Sequence, residues 1–117
     1  MPWVNVILGE TCQPDQQNQI KTEMAEVLME VMGKEEKGLV VTFVAADGLY
    51  RAGQSCRDAA VVELKYIGQF PLVKKQEVTR RITELLVKVM KLNPDKVIVP
   101  ITELVSENWG RKAGDFQ

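Results

Sequence analysis

The chain has 117 residues, 45% hydrophobic and 26% charged, with a formal net charge of −1. This is the composition of one ordinary globular domain over 1–117, without an electrostatic footprint for nucleic acid or an anionic membrane surface. It has no histidine, which removes Ser-His-Asp and Cys-His catalysis and nearly all zinc sites. Cys12 and Cys56 form no C-x-x-C pair, so two separate reduced thiols are expected. What remains for chemistry is carboxylates, lysines, arginines, tyrosines and the N-terminal amine. No apolar run approaches the ~20 residues of a membrane span and no basic leader opens the chain, so a cytoplasmic protein is expected, leaderless export aside.

In chain order, Trp3, Val4, Val6, Ile7 and Leu8 read as a short, largely buried strand closed by Gly9. Pro2 opens it, a position where a proline is tolerated because no ladder N–H is needed there. If Met1 is removed, Pro2 carries a free secondary amine at the end of a buried strand. An ordinary α-amino group ionises near ~8 and a prolyl nitrogen is intrinsically more basic, but desolvation disfavours the charged form and brings it toward the range of a general base at neutral pH.

Pro14 is placed to open a helix in which Ile20, Met24, Val27, Leu28 and Val31 recur at helical spacing through Met32, with Gly33 as a left-handed cap. Lys34 follows directly. Leu39 to Ala45 is apolar and β-rich and is read as a central strand. Asp47 to Ser55 is read as a loop exposing Tyr50 and Arg51, and Ala59 to Ile67 as a third strand closed by Gly68. After Phe70-Pro71 a second helix carries Val78, Ile82, Leu85, Leu86 and Val89 on one stripe and ends at Asn93-Pro94-Asp95. Val97 to Ile101 is the fourth strand, and the tail holds Trp109-Gly110.

The order is β-α-β twice, and the halves overlay. A shift of 58 positions (84 − 26) lays the stretch from Glu26 to Met32 over that from Glu84 to Met90, and ungapped continuation lays Leu39-Val40-Val41 over Val97-Ile98-Val99. Two right-handed βαβ units sharing one four-stranded mixed sheet place both helices on one face, an α/β (α+β) fold. The other face, rich in Val, Ile and Leu, is then expected to be covered by self-association.

These features resemble the tautomerase superfamily, and within it macrophage migration inhibitory factor and its microbial homologues. The resemblance rests on Pro2, Met32-Gly33-Lys34, Tyr66-Ile67-Gly68, the turn from Asn93 to Val97, and Asn108-Trp109-Gly110, in that order and spacing. It implies a homotrimer with a barrel of three sheets, sites at subunit interfaces, and keto–enol tautomerisation of aryl pyruvates such as phenylpyruvate with no metal and no cofactor. Pro2 would be the general base, Lys34 the ligand of the substrate carboxylate, Ile67 the donor of a backbone N–H, and Trp109 part of the apolar wall. Ile98 stands where the mammalian proteins place a pocket tyrosine, so the site is expected to be more apolar. The mammalian C-x-x-C falls near Ala59 and Val62, so thiol-oxidoreductase activity is not expected.

Two rivals stay open at this stage. The same trimer could serve as a cytokine-like signalling or binding protein with incidental tautomerase activity. A different reaction on the same fold, dehalogenation or decarboxylation, needs further arginines and a water-activating carboxylate; Arg51, Arg57 and Glu103 are available for that without a clear pattern.

Overall fold

Strict alternation in β1 (Pro2–Leu8) sends Pro2, Val4, Val6 and Leu8 to one side, all buried, and Trp3, Asn5 and Ile7 to the other. The computed structural model describes residues 2–112 and 114–116. α1 (Pro14–Met32) starts at the proline and stops at Gly33, whose φ of 66° supplies the left-handed cap. β2 (Val40–Ala45) then runs parallel to β1, with Trp3 opposite Val40 and Leu8 opposite Ala45.

A small hairpin, β3 (Tyr50–Arg51) with β4 (Gln54–Ser55), interrupts the segment read as a loop; its turn residues Ala52 and Gly53 both have positive φ. β5 (Ala60–Ile67) lies antiparallel to β1, with Pro2 opposite Tyr66 and Leu8 opposite Ala60. α2 (Leu72–Met90) ends at Lys91, whose φ is 59°. It stops before the Asn93-Pro94-Asp95 turn, where Pro94–Lys96 form a 3₁₀ turn instead.

The expected fourth strand is two pieces, β6 (Val97–Ile98) and β7 (Ile101–Leu104), both parallel to β5. Pro100 has no N–H to give, and its carbonyl instead accepts from Leu64 N at 2.9 Å. Beyond it, in the segment read as the tail, come a 3₁₀ turn at Ser106–Asn108 and a last pair, β8 (Gly110–Arg111) with β9 (Asp115–Phe116).

The strand order β2-β1-β5-β6, with β7 continuing beside β5, is a mixed sheet. β2 is therefore an edge strand, a correction to its reading as central. Its side chains explain the ambiguity: Val41 and Phe43 pack on the core, while Val40 and Val44 remain 48% and 44% exposed on the other face.

Both helices cover one face of the sheet. Ile20, Met24, Leu28, Val78, Ile82 and Leu86 meet Val4, Val6, Leu8, Val62, Leu64 and Tyr66 there. Each aliphatic side chain so buried contributes about 1.5–3 kcal/mol relative to exposure. The open face is less apolar than expected. Across it Trp3 Nε1 donates to Thr42 Oγ1 (3.0 Å), Thr42 Oγ1 to Asn5 Oδ1 (2.6 Å) and Asn5 Nδ2 to Glu63 Oε1 (3.0 Å), while Lys65 Nζ lies 5.2 Å from the Trp3 ring.

Candidate active site

The site lies where β1 begins. Antiparallel pairing sets Pro2 opposite Tyr66, and both residues are buried on the helix-covered face. The N–H groups of Leu64 and Gly68 go to the carbonyls of Pro100 and Leu104 on the β7 side. Alternation along the strand therefore turns the N–H and C=O of Ile67 the other way, toward the place that precedes Pro2. Met1 lies outside the described residues.

Lys34 occupies that neighbourhood. Gly33 ends α1 in the left-handed conformation and aims the next residue back across the strand ends. Lys34 Nζ donates to Ile67 O at 2.7 Å and lies 5.6 Å from the Tyr66 ring centroid and 5.7 Å from that of Phe70. An ammonium over two ring faces is held by their quadrupoles as well as by the carbonyl. An ammonium has three donors, and the Ile67 carbonyl takes one of them.

Under the two rings lies a carboxylate that sequence reasoning had named only as an unplaced candidate. Glu103 Oε2 accepts from the Tyr66 hydroxyl and from Phe70 N, each at 2.8 Å, and Oε1 is 3.2 Å from Lys75 Nζ. The Tyr66 hydroxyl bond, the Phe70 N–H and Lys75 hold the Glu103 carboxyl below the usual carboxylate range. Burial, then the Glu103 carboxylate, push the Tyr66 phenol well above the usual tyrosine range. The signal for Glu103 was available: Ile101 faces the core, and residues two apart in a strand share a face.

The other expected site residues separate. Trp109 is half-buried and follows the 3₁₀ turn after β7, whose last residue Leu104 pairs with Ile67, so the chain leaves the sheet at the Pro2 end before reaching it. Ile98 does not join the cluster. It pairs with Val61, five residues from Tyr66, or roughly 17 Å along the strand at about 3.3–3.4 Å per residue. It is 53% exposed. Cys56 Sγ donates to Gln54 O, and burial followed by the nearby Asp15 pushes the Cys12 thiol up.

A family model for macrophage migration inhibitory factor (MIF) matches residues 1–116. No curated protein matches. Among solved structures, MIF2 of Leishmania major is similar at 18% identity and a TM-score of 0.88, covering 100% of this chain and 97% of that one. The protein Pt0534, inactivated by 2-oxo-3-pentynoate, superposes at 13% identity and a TM-score of 0.86, covering 97% and 94%. A fused 4-OT wild-type asymmetric trimer does so at 11% identity and a TM-score of 0.86, covering 97% and 94%. At such identities the structural likeness establishes the fold.

Proposed function

Because the chain belongs to the macrophage migration inhibitory factor family, whose fold it shares, we propose that it is a cofactor-free keto–enol tautomerase of aryl pyruvates. The observation that carries this reading is the meeting of Lys34 Nζ with the Ile67 carbonyl, one place beyond buried Pro2. A base and a cation then face the same small volume. A 2-oxo acid has the matching pair of groups, a carbonyl with an acidic neighbouring C–H and a carboxylate, and the inactivation of the similar Pt0534 by a 2-oxo acid supports that substrate class.

With Met1 removed, the Pro2 amine takes a proton from C3 of phenylpyruvate, and the electron pair moves onto the carbonyl oxygen. The protonated amine then returns that proton to the oxygen, so keto form becomes enol with no change of composition. Lys34 holds the carboxylate through the donors not spent on Ile67 O, and the Ile67 N–H supplies a second, neutral donor. Burial of Pro2 and the nearby ammonium both disfavour a protonated amine, which keeps the base available near neutral pH. Trp109, on the segment that leaves the sheet at the Pro2 end, is assigned to the aryl side as an apolar wall.

Ile98 belongs to this reading only if the site is composite. It sits at the opposite end of its own sheet from Pro2, exposed on the open face together with Val40 and Val44. The similar fused 4-OT is named as an asymmetric trimer; a trimer of this chain would bring the Ile98 of one protomer to the Pro2 of the next and cover the open faces. The test is a phenylpyruvate tautomerase assay on protein whose N-terminus is verified by mass, run beside sedimentation. Turnover by a trimer is the expected result. A trimer without turnover would favour the binding-protein role, and a monomer would remove the composite site.

A further inference from the structure

One carboxylate oxygen ties down both aromatic residues against which Lys34 rests. Tyr66 and Phe70 meet edge to face, with centroids 5.3 Å apart and planes at 88°. Their shared anchor is Glu103 Oε2, which accepts from the hydroxyl of one and the backbone N–H of the other. Glu103 pairs directly with Tyr66 across β7 and β5, so the anchor is built into the sheet register. Lys75, from the first turn of α2, closes on the other oxygen and fixes the carboxylate in turn.

From this arrangement we infer that Glu103 is a positioning residue for the tautomerase reaction. It sets the Tyr66–Phe70 corner, the corner sets the Lys34 ammonium, and the ammonium sets where a substrate carboxylate docks. This rests on the function proposed above. Glu103 is assigned no direct part in the reaction; its partners are Tyr66, Phe70 and Lys75. Two hydrogen bonds to a single charged oxygen are strong and directional, whereas ring–cation attraction alone leaves a long lysine free to wander. Without Glu103 the Tyr66 hydroxyl and Phe70 N–H lose their acceptor, and the corner can rotate or take up water.

The experiment is steady-state kinetics on phenylpyruvate for the parent, Glu103→Ala, Glu103→Gln, Lys34→Ala and the Glu103→Ala/Lys34→Ala double variant. Circular dichroism and thermal melts accompany each to register any loss of fold. Glu103→Ala is expected to raise KM about tenfold with kcat within about twofold, since a displaced anchor weakens docking more than proton abstraction. Glu103→Gln keeps an oxygen for both donors and should stay within about threefold of the parent KM. In the Lys34→Ala background Glu103→Ala should add nothing, because the residue it acts through is gone.

A readout independent of turnover is alkaline absorbance titration in a Tyr50→Phe background, where Tyr66 is the sole tyrosine. Loss of the Glu103 charge should move its ionisation to lower pH. Absence of parent turnover overturns both this inference and the proposed function. Turnover with a parent-like KM in Glu103→Ala, a full penalty persisting without Lys34, or an unmoved Tyr66 titration overturns the inference alone. Should Glu103→Ala fail to fold, Tyr66→Phe takes its place: it removes one of the two ties, and an unchanged KM there would also overturn the inference.

Discussion

Moving 58 positions along the chain, the offset between the starts of the two helices (72 − 14), carries Pro2 onto Ala60, Lys34 onto Leu92, Gly9 onto Ile67, Leu8 onto Tyr66 and Ala45 onto Glu103. The backbones correspond closely. Each helix has 19 residues and ends in a left-handed residue, Gly33 or Lys91, and each parallel pair sets a residue opposite the one 37 positions later, Trp3 with Val40 and Leu64 with Ile101. The furnishings do not correspond. At one end Lys34, Tyr66 and Glu103 form a polar corner beside Pro2; at the other Leu92 and Leu8 are 4% and 1% exposed, and Gly9 presses on the Cys56 backbone. Only the Pro2 end of this duplicated scaffold carries the polar side chains that the proposed anion binding and proton transfer require. The apolar end closes on itself and contributes to the core.

Substituting one end toward the other measures how much of that difference is chemical. Pro2→Ala copies Ala60 and leaves an amine without the ring that fixes its direction and basicity; kcat for phenylpyruvate is expected to fall about 100-fold or more in a protein with unchanged circular dichroism. Lys34→Leu copies Leu92 and should raise KM by about 10- to 100-fold, the equivalent of a charge-assisted hydrogen bond of about 1.5–3 kcal/mol.

In the reverse direction, Gly9→Ala places a Cβ 2.2 Å from the Cys56 carbonyl oxygen. It should cost about 1–3 kcal/mol of stability by forcing backbone apart, read as a lowered Tm, while KM stays near the parent value. The smallest effect concerns acid. The Glu103 carboxyl is held below its ordinary range, so its contribution to stability is present above that range and is lost as pH falls through the depressed value. A Glu103→Gln protein should show a shallower loss of stability on acidification in a denaturant titration series.

Much of this frame was legible because local chemistry and tertiary packing agree in it. Pro14 and Gly33 bound α1 at Pro14–Met32 in the sequence and in the structure alike, since a proline needs no helical N–H donor at N1 and a glycine accepts positive φ. The edge position of β2 was not legible. An apolar strand reads the same whether one or both of its hydrogen-bonding edges are paired. The split at Pro100 was signalled by the proline itself, and the β3–β4 hairpin by Ala52-Gly53, but two-residue strands carry too little alternation to be read. Within the site, Pro2, Lys34 and Ile67 were named from the resemblance and do lie together. Ile98 was named with them and lies at the far end of its own sheet, beside Val61, which the register of β6 on β5 decides and the order of motifs does not. The role of Glu103 was missed because its partners Tyr66 and Phe70 are 37 and 33 positions away, and only the strand register joins them.

The central claim is that a free Pro2 amine is the base. Inserting one alanine between Met1 and Pro2 tests it most directly, because the prolyl nitrogen becomes an amide that cannot accept a proton while the strand, the Lys34 contact and the core are left in place. With the new N-terminus verified by mass and the assembly by sedimentation, phenylpyruvate turnover is expected to drop by about 100- to 10,000-fold. Turnover at the parent rate would contradict the account, since the proton would then be moving through some other group.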